Sequence, residues 1–369
     1  MLLSWDICIY ANQSCFIRWN SVESNIFSVK NGVRQGAILS PSLFCVYLDT
    51  LLAKLRDAGI GCQLGGSFLG ALGYADDVTL LATTRQGLQA MLGICEEYAR
   101  THSMLFSTDP NPVKSKTKCM LFSATRKSDQ VRNVELNGDL LPWVETAKHL
   151  GNHLSSKINY AYRSPDTRTD LLCKRAIFFD SVHQVQQQFG YHDPQLVIRL
   201  LSIYSTAMYG SPLWQLNSEE HQKLNRSWNT AVKMIFDLPH ATHTCFIEPL
   251  SPVPHLEAVL IGRYIGFLQS LLKSSKPFMG LLFTTCSSDL NSVTGQNVGY
   301  FLGKFNKSSL KSLVNSKNEI KTKAVYHLPE HENWKVNLIS EISLVKKEHL
   351  DLNFDEEDLE EILEYICTK

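Results

Sequence analysis

Hydrophobic and polar positions along this chain alternate in short bursts as far as about residue 157, then switch to long helical spacing. Cys15, Phe16, Ile17, Arg18 and Trp19, then Ile26, Phe27, Ser28 and Val29, predict two short strands around an Asn20-Ser21 turn. A glycine-punctuated loop, Asn31 to Gly36, leads to a helix in which Leu43, Phe44, Tyr47, Leu48, Leu51, Leu52 and Leu55 share a face. Ser40 stands where a cap is expected, Pro41 suits the first helical position, and Asp57-Ala58-Gly59 ends the element.

Residues 60–72 are glycine-rich and weakly apolar and suit a strand and its turn. In Leu72-Gly73-Tyr74-Ala75-Asp76-Asp77-Val78-Thr79-Leu80-Leu81, two acids sit between apolar runs, as at the tip of a β-hairpin. A second amphipathic helix is predicted at about 85–100, with Leu88, Met91, Leu92, Cys95, Tyr98 and Ala99 on one face. Ser115 to Lys118 introduces a predicted strand over Cys119-Met120-Leu121-Phe122, and Val134-Glu135-Leu136 precedes an Asn137-Gly138 turn. After residue 160 the spacing predicts helices at 168–189, 194–208, 219–236 and 255–273. Beyond about 284 the periodicity fades as Ser, Asn and Lys rise. The expected division is an α/β unit over 1–157, a helical unit over 158–280 and a loosely specified region over 281–369.

Composition changes the picture little. Lys+Arg and Asp+Glu are equal at 36 each, a poor electrostatic footprint for a polynucleotide binder. Part of that balance comes from the last nineteen residues, where eight acids from Asp351 to Glu364 face one lysine. Ten cysteines occur with no C-x-x-C pair, which argues for free thiols rather than a disulfide framework. No apolar run is long enough to span a bilayer, and the start lacks the pattern of a signal peptide. An intracellular protein, nuclear or cytoplasmic and without a membrane partner, is expected.

Asp76-Asp77 carries the chemical information. Nucleotidyl transfer uses two divalent cations about 4 Å apart, and magnesium takes hard oxygen ligands, commonly one or two carboxylates plus substrate phosphates. Adjacent acids on a tight turn supply such ligands on short stems. An ordinary exposed turn would also carry them, so the pair acquires meaning from its surroundings.

Those surroundings resemble the reverse transcriptases of non-LTR (LINE-type) retrotransposons. Tyr74-Ala75-Asp76-Asp77 fits that family's F/Y-A-D-D box, and Gly32-Val33-Arg34-Gln35-Gly36-Ala37-Ile38-Leu39-Ser40-Pro41 fits its G-x-x-Q-G-x-x-x-S-P segment. Lys114 to Met120 is similar to its lysine-rich turn into a strand, and Lys148-His149-Leu150-Gly151 to its K-x-L-G strand. Tyr209-Gly210-Ser211-Pro212-Leu213-Trp214 and the Trp228-Asn229 run resemble its thumb.

The resemblance implies an α+β fold: part of a right-hand polymerase palm, an antiparallel sheet with packed helices, followed by an α-helical thumb-like domain. It implies RNA-directed DNA polymerase chemistry with Mg²⁺ (or Mn²⁺), an RNA template, a DNA primer and dNTPs. By the same resemblance Asp76 is the metal ligand in line with the α-phosphate, and Asp77 is the second acid. Tyr74, Gln35 and Gly36 border the templating base and incoming nucleotide. Lys116 or Lys118 assists the departing pyrophosphate, or is an ordinary surface lysine. Leu150 and Gly151 grip the primer through their backbone.

The family's palm also has a bridging Asp on an earlier strand. Only thirty-one residues precede Gly32, and Asp6 in Trp5-Asp6-Ile7 lacks the expected setting. The expectation is a polymerase domain incomplete in this chain. The alternative is a non-catalytic retrotransposon-derived remnant that binds nucleic acid or protein. Trp214 and Trp228 at helical spacing are expected in the core. Lys223, Arg226 and Lys233 are read as a solvated face. His240, His243, Cys245 and His255 form only one close pair, short of a zinc site.

Overall fold

The computed structural model describes residues 13–29, 32–33, 36–109, 111, 113–123, 133–159, 164–204, 208–244, 247, 251 and 253–317. Asp6, Gln35, Cys245 and the acidic stretch 351–369 lie outside them. The chain divides into two compact units, Met1–Val144 and Glu145–Lys369. As expected for an α+β fold, the described residues form helices and antiparallel strand pairs.

The first unit opens with two small pairs. β1 (Ser14–Cys15) pairs with β4 (Phe27–Ser28), and β2 (Arg18–Trp19) with β3 (Val22–Glu23), through a turn in which Asn20 and Ser21 have φ of 47° and 68°. Helix α1 (Ser40–Asp57) begins one residue earlier than expected. Ser40 is already helical and buried, its N–H donates to the Ala37 carbonyl, and Leu39 occupies the cap position without a side-chain bond. Helix α2 (Arg85–Thr101) is capped by Thr84, whose hydroxyl accepts from the Gly87 N–H.

Leu48, Leu51 and Leu55 of α1 meet Met91, Cys95 and Tyr98 of α2 in one buried cluster, with Val78 and Leu80 packed on it. The helices are also tied by polar bonds: the Tyr98 hydroxyl donates to the Tyr47 carbonyl at 2.5 Å, and the Tyr47 hydroxyl to the His102 carbonyl at 2.9 Å.

Two further hairpins follow α1: β5 (Gln63–Leu64) with β6 (Ser67–Phe68), and β7 (Ala71–Tyr74) with β8 (Asp77–Leu80). They are separate two-stranded pairs, but their roots are joined. Cys62 N–H donates to the Leu81 carbonyl, Leu81 N–H to the Gly70 carbonyl, and Leu69 N–H to the Cys62 carbonyl, at 2.9, 2.7 and 2.8 Å. Gly61 makes this closeness possible. Its φ is +120°, and a Cβ there would stand 2.9 Å from Gly70 Cα and 3.0 Å from the Leu81 carbonyl oxygen.

Among the described residues the strand expected over 119–122 contracts to a single parallel bridge, Cys119 with Trp143, where Cys119 bonds to the backbone of Pro142 and Val144. β9 (Glu135–Leu136) and β10 (Asp139–Leu140) form the expected hairpin, with Asn137 and Gly138 at φ of 56° and 79°.

The second unit begins with β11 (Thr146–His149) paired to β12 (Asn152–Ser155), then β13 (Ile158–Asn159) paired to β14 (Ser164–Pro165). Helices α3 (Arg168–Phe189), α4 (Pro194–Tyr204), α5 (Glu219–Ile235) and α6 (Leu256–Leu272) follow. The helical pattern does not fade at 284 as expected. It continues through α7 (Pro277–Ser288), α8 (Val293–Lys304) and α9 (Leu310–Asn315). Ser292 and Ser309 cap α8 and α9, and Val298, Phe301, Leu313 and Val314 enter the same core as Phe178, Trp214 and Trp228. Asn297 is wholly buried. Its amide donates to the Trp214 carbonyl at 2.7 Å and accepts from the Leu216 N–H at 2.9 Å, fixing α8 on that segment.

His221 is buried near Glu257 and Lys304, with its Nε2 unbonded. Desolvation by burial holds its pKa down at about 4, despite the opposing pull of Glu257. The unfolded chain therefore takes up a proton near the ordinary histidine pKa of about 6.5 that the folded chain refuses.

Two outcomes follow from this packing. Gly61→Ala should lower the unfolding free energy by about 2 kcal/mol in urea titration, since both backbone strands must move apart. His221→Met should flatten the acid side of the stability profile. Wild type is expected to lose roughly 3 kcal/mol relative to the variant as pH falls from 6.5 to 4, and parallel curves would contradict the burial argument.

Candidate functional site

Register fixes the hairpin tip. Tyr74 pairs with Asp77, so Ala75 and Asp76 alone form the connection between β7 and β8. Ala75 has φ of 51°, a left-handed conformation that L residues other than Asn and Asp adopt rarely and at a cost of roughly 1–2 kcal/mol. Such a two-residue turn places Asp76 in the connection and Asp77 at the first position of β8, both exposed. Tyr74 beside them is 67% exposed.

The strands behind the tip are anchored, which gives the acids a fixed base. Ala71, Val78 and Leu80 pack on the α1–α2 cluster. Gly73 lies against α1: a Cβ at that position would stand 2.9 Å from Leu52 Cδ1. Burial of its inner face and hydrogen bonds at the root hold the hairpin, with both acids at the free end.

Two adjacent carboxylates on short stems, open to solvent, are a hard-oxygen donor set that fits magnesium or manganese completed by water and phosphate. Among the described residues no group of three or more His, Cys, Asp or Glu gathers to hold a metal.

The other expected site residues fall in several places. Gly36, with φ of +83°, is exposed ahead of α1, and Gln35 lies outside the described residues. Lys116 and Lys118 are exposed on a pinned loop. Ser115 is buried and its hydroxyl donates to the Thr117 carbonyl at 2.6 Å, while the Thr117 hydroxyl donates to the Ser107 carbonyl at 2.8 Å. No hydrogen bond or ion pair joins either lysine to Asp76 or Asp77 among the described residues.

Leu150 and Gly151 belong to the second unit. They are the whole connection between β11 and β12, at φ of 47° and 80°. Of the remaining candidates, Trp214 and Trp228 are core residues at 1% and 4% exposure. Lys223 pairs with Glu219 and Glu220, and Lys233 donates to the His240 carbonyl. His255 caps α6 by accepting from the Glu257 N–H and meets Asn229 at 2.8 Å. Asp170 and Lys174, which the sequence pattern does not single out, are buried and bond to the β11–β12 hairpin.

Residues 3–154 match the family described as "Reverse transcriptase (RNA-dependent DNA polymerase)". Curated relatives include a "Retrovirus-related Pol polyprotein from type-1 retrotransposable element R2" of Nasonia vitripennis, 39% identical over 88 residues, 24% of this chain and 8% of that protein. A "Retrovirus-related Pol polyprotein from type-2 retrotransposable element R2DM" of Drosophila melanogaster is 43% identical over 74 residues, 20% of this chain and 7% of its own length. A type-1 R2 polyprotein of Popillia japonica is 31% identical over 106 residues, 28% of this chain and 16% of that protein. The matched stretches thus span less than a tenth of the first two relatives.

If the hairpin is seated as described, Gly73→Ala should cost about 1 kcal/mol in thermal or urea unfolding. Leu52→Ala introduced with it should recover most of the coupling in a double-mutant cycle. Simple additivity would mean that β7 does not rest on α1.

Proposed function

We propose, from the match of residues 3–154 to the reverse-transcriptase family and of shorter stretches to R2 retrotransposon polyproteins, that this chain is part of an RNA-directed DNA polymerase extending a DNA primer on an RNA template with dNTPs. The observation that carries this reading is the two-residue Ala75–Asp76 connection, with Asp77 beside it, on a hairpin fixed at its root and along its inner face. In this reading residues 1–157 contribute palm, 158–280 a helical thumb-like part, and 281–369 the region beyond it.

Asp76 and Asp77 would hold divalent cations, Mg²⁺ or Mn²⁺. When bound, these supply activation of the primer 3′-hydroxyl and charge neutralisation at the leaving pyrophosphate. By the family resemblance Asp76 would be the principal metal ligand and Asp77 the second acid, its backbone placed by pairing with Tyr74. Tyr74 offers an exposed ring beside the nucleotide. Gln35 and Gly36 line the templating base, where a glycine at positive φ lets backbone come close. Lys116 neutralises or protonates the departing pyrophosphate, with Lys118 as its neighbour in the same role. Leu150 and Gly151 grip the primer strand through their backbone.

The absence of a third gathered carboxylate among the described residues favours a specific second reading. Without a bridging acid the same fold is a non-catalytic nucleic-acid or protein binding module. In the polymerase reading that acid comes from outside the described residues, in this chain or in a longer polypeptide.

A primer-extension assay with the purified chain on an RNA template separates the two. Extension dependent on Mg²⁺ or Mn²⁺, reduced at least a thousandfold by Asp76→Asn (order of magnitude from loss of a metal ligand), supports the polymerase. Duplex binding with no extension under either metal supports the binding module.

A further inference from the structure

The β11–β12 turn is held more firmly than a surface hairpin requires. Leu150 has φ of 47°, where a bulky side chain is a genuine outlier, and Gly151 follows at 80°. Such backbone persists only where the surroundings over-determine it. Here the backbone of Leu150, Gly151 and His153 is met by the side chains of Asn152, Lys174 and Asp170. The Lys174 ammonium donates to the Gly151 carbonyl at 2.8 Å, and the Asn152 amide donates to the Leu150 carbonyl at 3.4 Å. Asp170 Oδ1 accepts from the His153 N–H at 2.8 Å, with His153 Nδ1 at 3.4 Å.

Both charged residues sit on α3, one turn apart, and both are buried, Asp170 at 4% and Lys174 at 6% exposure. Burying charge is costly unless its bonds are made, and a hydrophobic side chain would pack at lower cost. Their partners therefore identify their use. Asp170 lies in the first turn of α3 yet serves no cap there. Its second oxygen accepts from Trp214 Nε1 at 2.7 Å, tying the hairpin to the helical core. Lys174 forms no ion pair within 4.0 Å among the described residues, and its ammonium lies 5.7 Å from the Tyr209 ring centre. That ring closes over the turn, 3.3 Å from where a Cβ on Gly151 would stand.

We infer that Asp170 and Lys174 are positioning residues for nucleic-acid binding: they preset the Leu150–Gly151 backbone so that the turn meets a primer–template duplex already in shape, without touching that duplex themselves. The inference rests on the proposed grip at Leu150 and Gly151 and adds how that grip is built. A preorganised backbone costs less to order on binding.

The test uses the full chain with Lys174→Met and Lys174→Arg, a fluorescein-labelled DNA primer annealed to RNA, and three readouts. Hydrogen exchange of residues 149–153 should accelerate about tenfold in Lys174→Met while the amides of α5 and α6 stay protected. Duplex affinity by anisotropy should weaken about tenfold, with the slope of log Kd against log salt unchanged, because no phosphate contact is lost. Lys174→Arg, which keeps a donor for the Gly151 carbonyl, should restore most of both.

Should Lys174→Met fail to fold, Lys174→Arg against Lys174→Gln carries the same comparison. A shallower salt slope in Lys174→Met would mean that Lys174 contacts phosphate, overturning the positioning role. Faster exchange with unchanged affinity would likewise overturn it. No duplex binding by the wild-type chain would defeat the grip itself, and the exchange data would tell that failure apart.

Discussion

Two carboxylates on neighbouring residues repel, and a polypeptide holds them side by side usefully only if the backbone beneath them cannot yield. In this chain that backbone is the β7–β8 hairpin, and its rigidity comes from residues that never approach the acids. Leucines of α1 and the Met91, Cys95 and Tyr98 face of α2 bury the inner side of the strands. Cys62, Leu69, Gly70 and Leu81 lock the root by backbone bonds that need Gly61 to have no side chain. The acidic tip stands above strands seated through Ala71, Val78 and Leu80.

The second unit solves a related problem with other means. The β11–β12 turn is also a two-residue connection, here with both residues at positive φ, and it is held by buried charged side chains of a helix rather than by apolar packing. Its carbonyls and amides are met by buried charges of α3, and those charges are satisfied in turn by the Trp214 indole and the Tyr209 ring. Both proposed contact points with nucleic acid are therefore short turns whose conformation is decided by packing behind them.

Much of this could be read in advance where local pattern and tertiary need coincide. The leucine spacing of α1, the apolar face of α2 and the Asn137-Gly138 turn each appear as expected, because burial, helical period and turn chemistry point the same way. The carboxylate turn was legible through its company: Gly32 to Pro41 before it and the lysine-rich segment after it.

Elsewhere local signals misled. Ser40 looked like a cap but lies inside the helix, since the preceding Ala37–Ser40 turn had already set helical geometry. Cys119 to Phe122 had strand composition but only one bridging neighbour. Glycines at 295, 299 and 303 masked α8, which is secured by the Ser292 cap and by Asn297. Asp170 and Lys174 carry no signal in the sequence pattern, and only the fold brings the hairpin down on them.

The central claim is that Asp76 and Asp77 hold a divalent cation at the hairpin tip. The most direct measurement is a Mn²⁺ titration of the isotope-labelled full chain followed by amide NMR. Paramagnetic broadening should appear first at residues 74–78 and disappear in Asp76→Asn/Asp77→Asn with the rest of the spectrum unchanged. Broadening that begins elsewhere, or that survives the double substitution, would contradict the account.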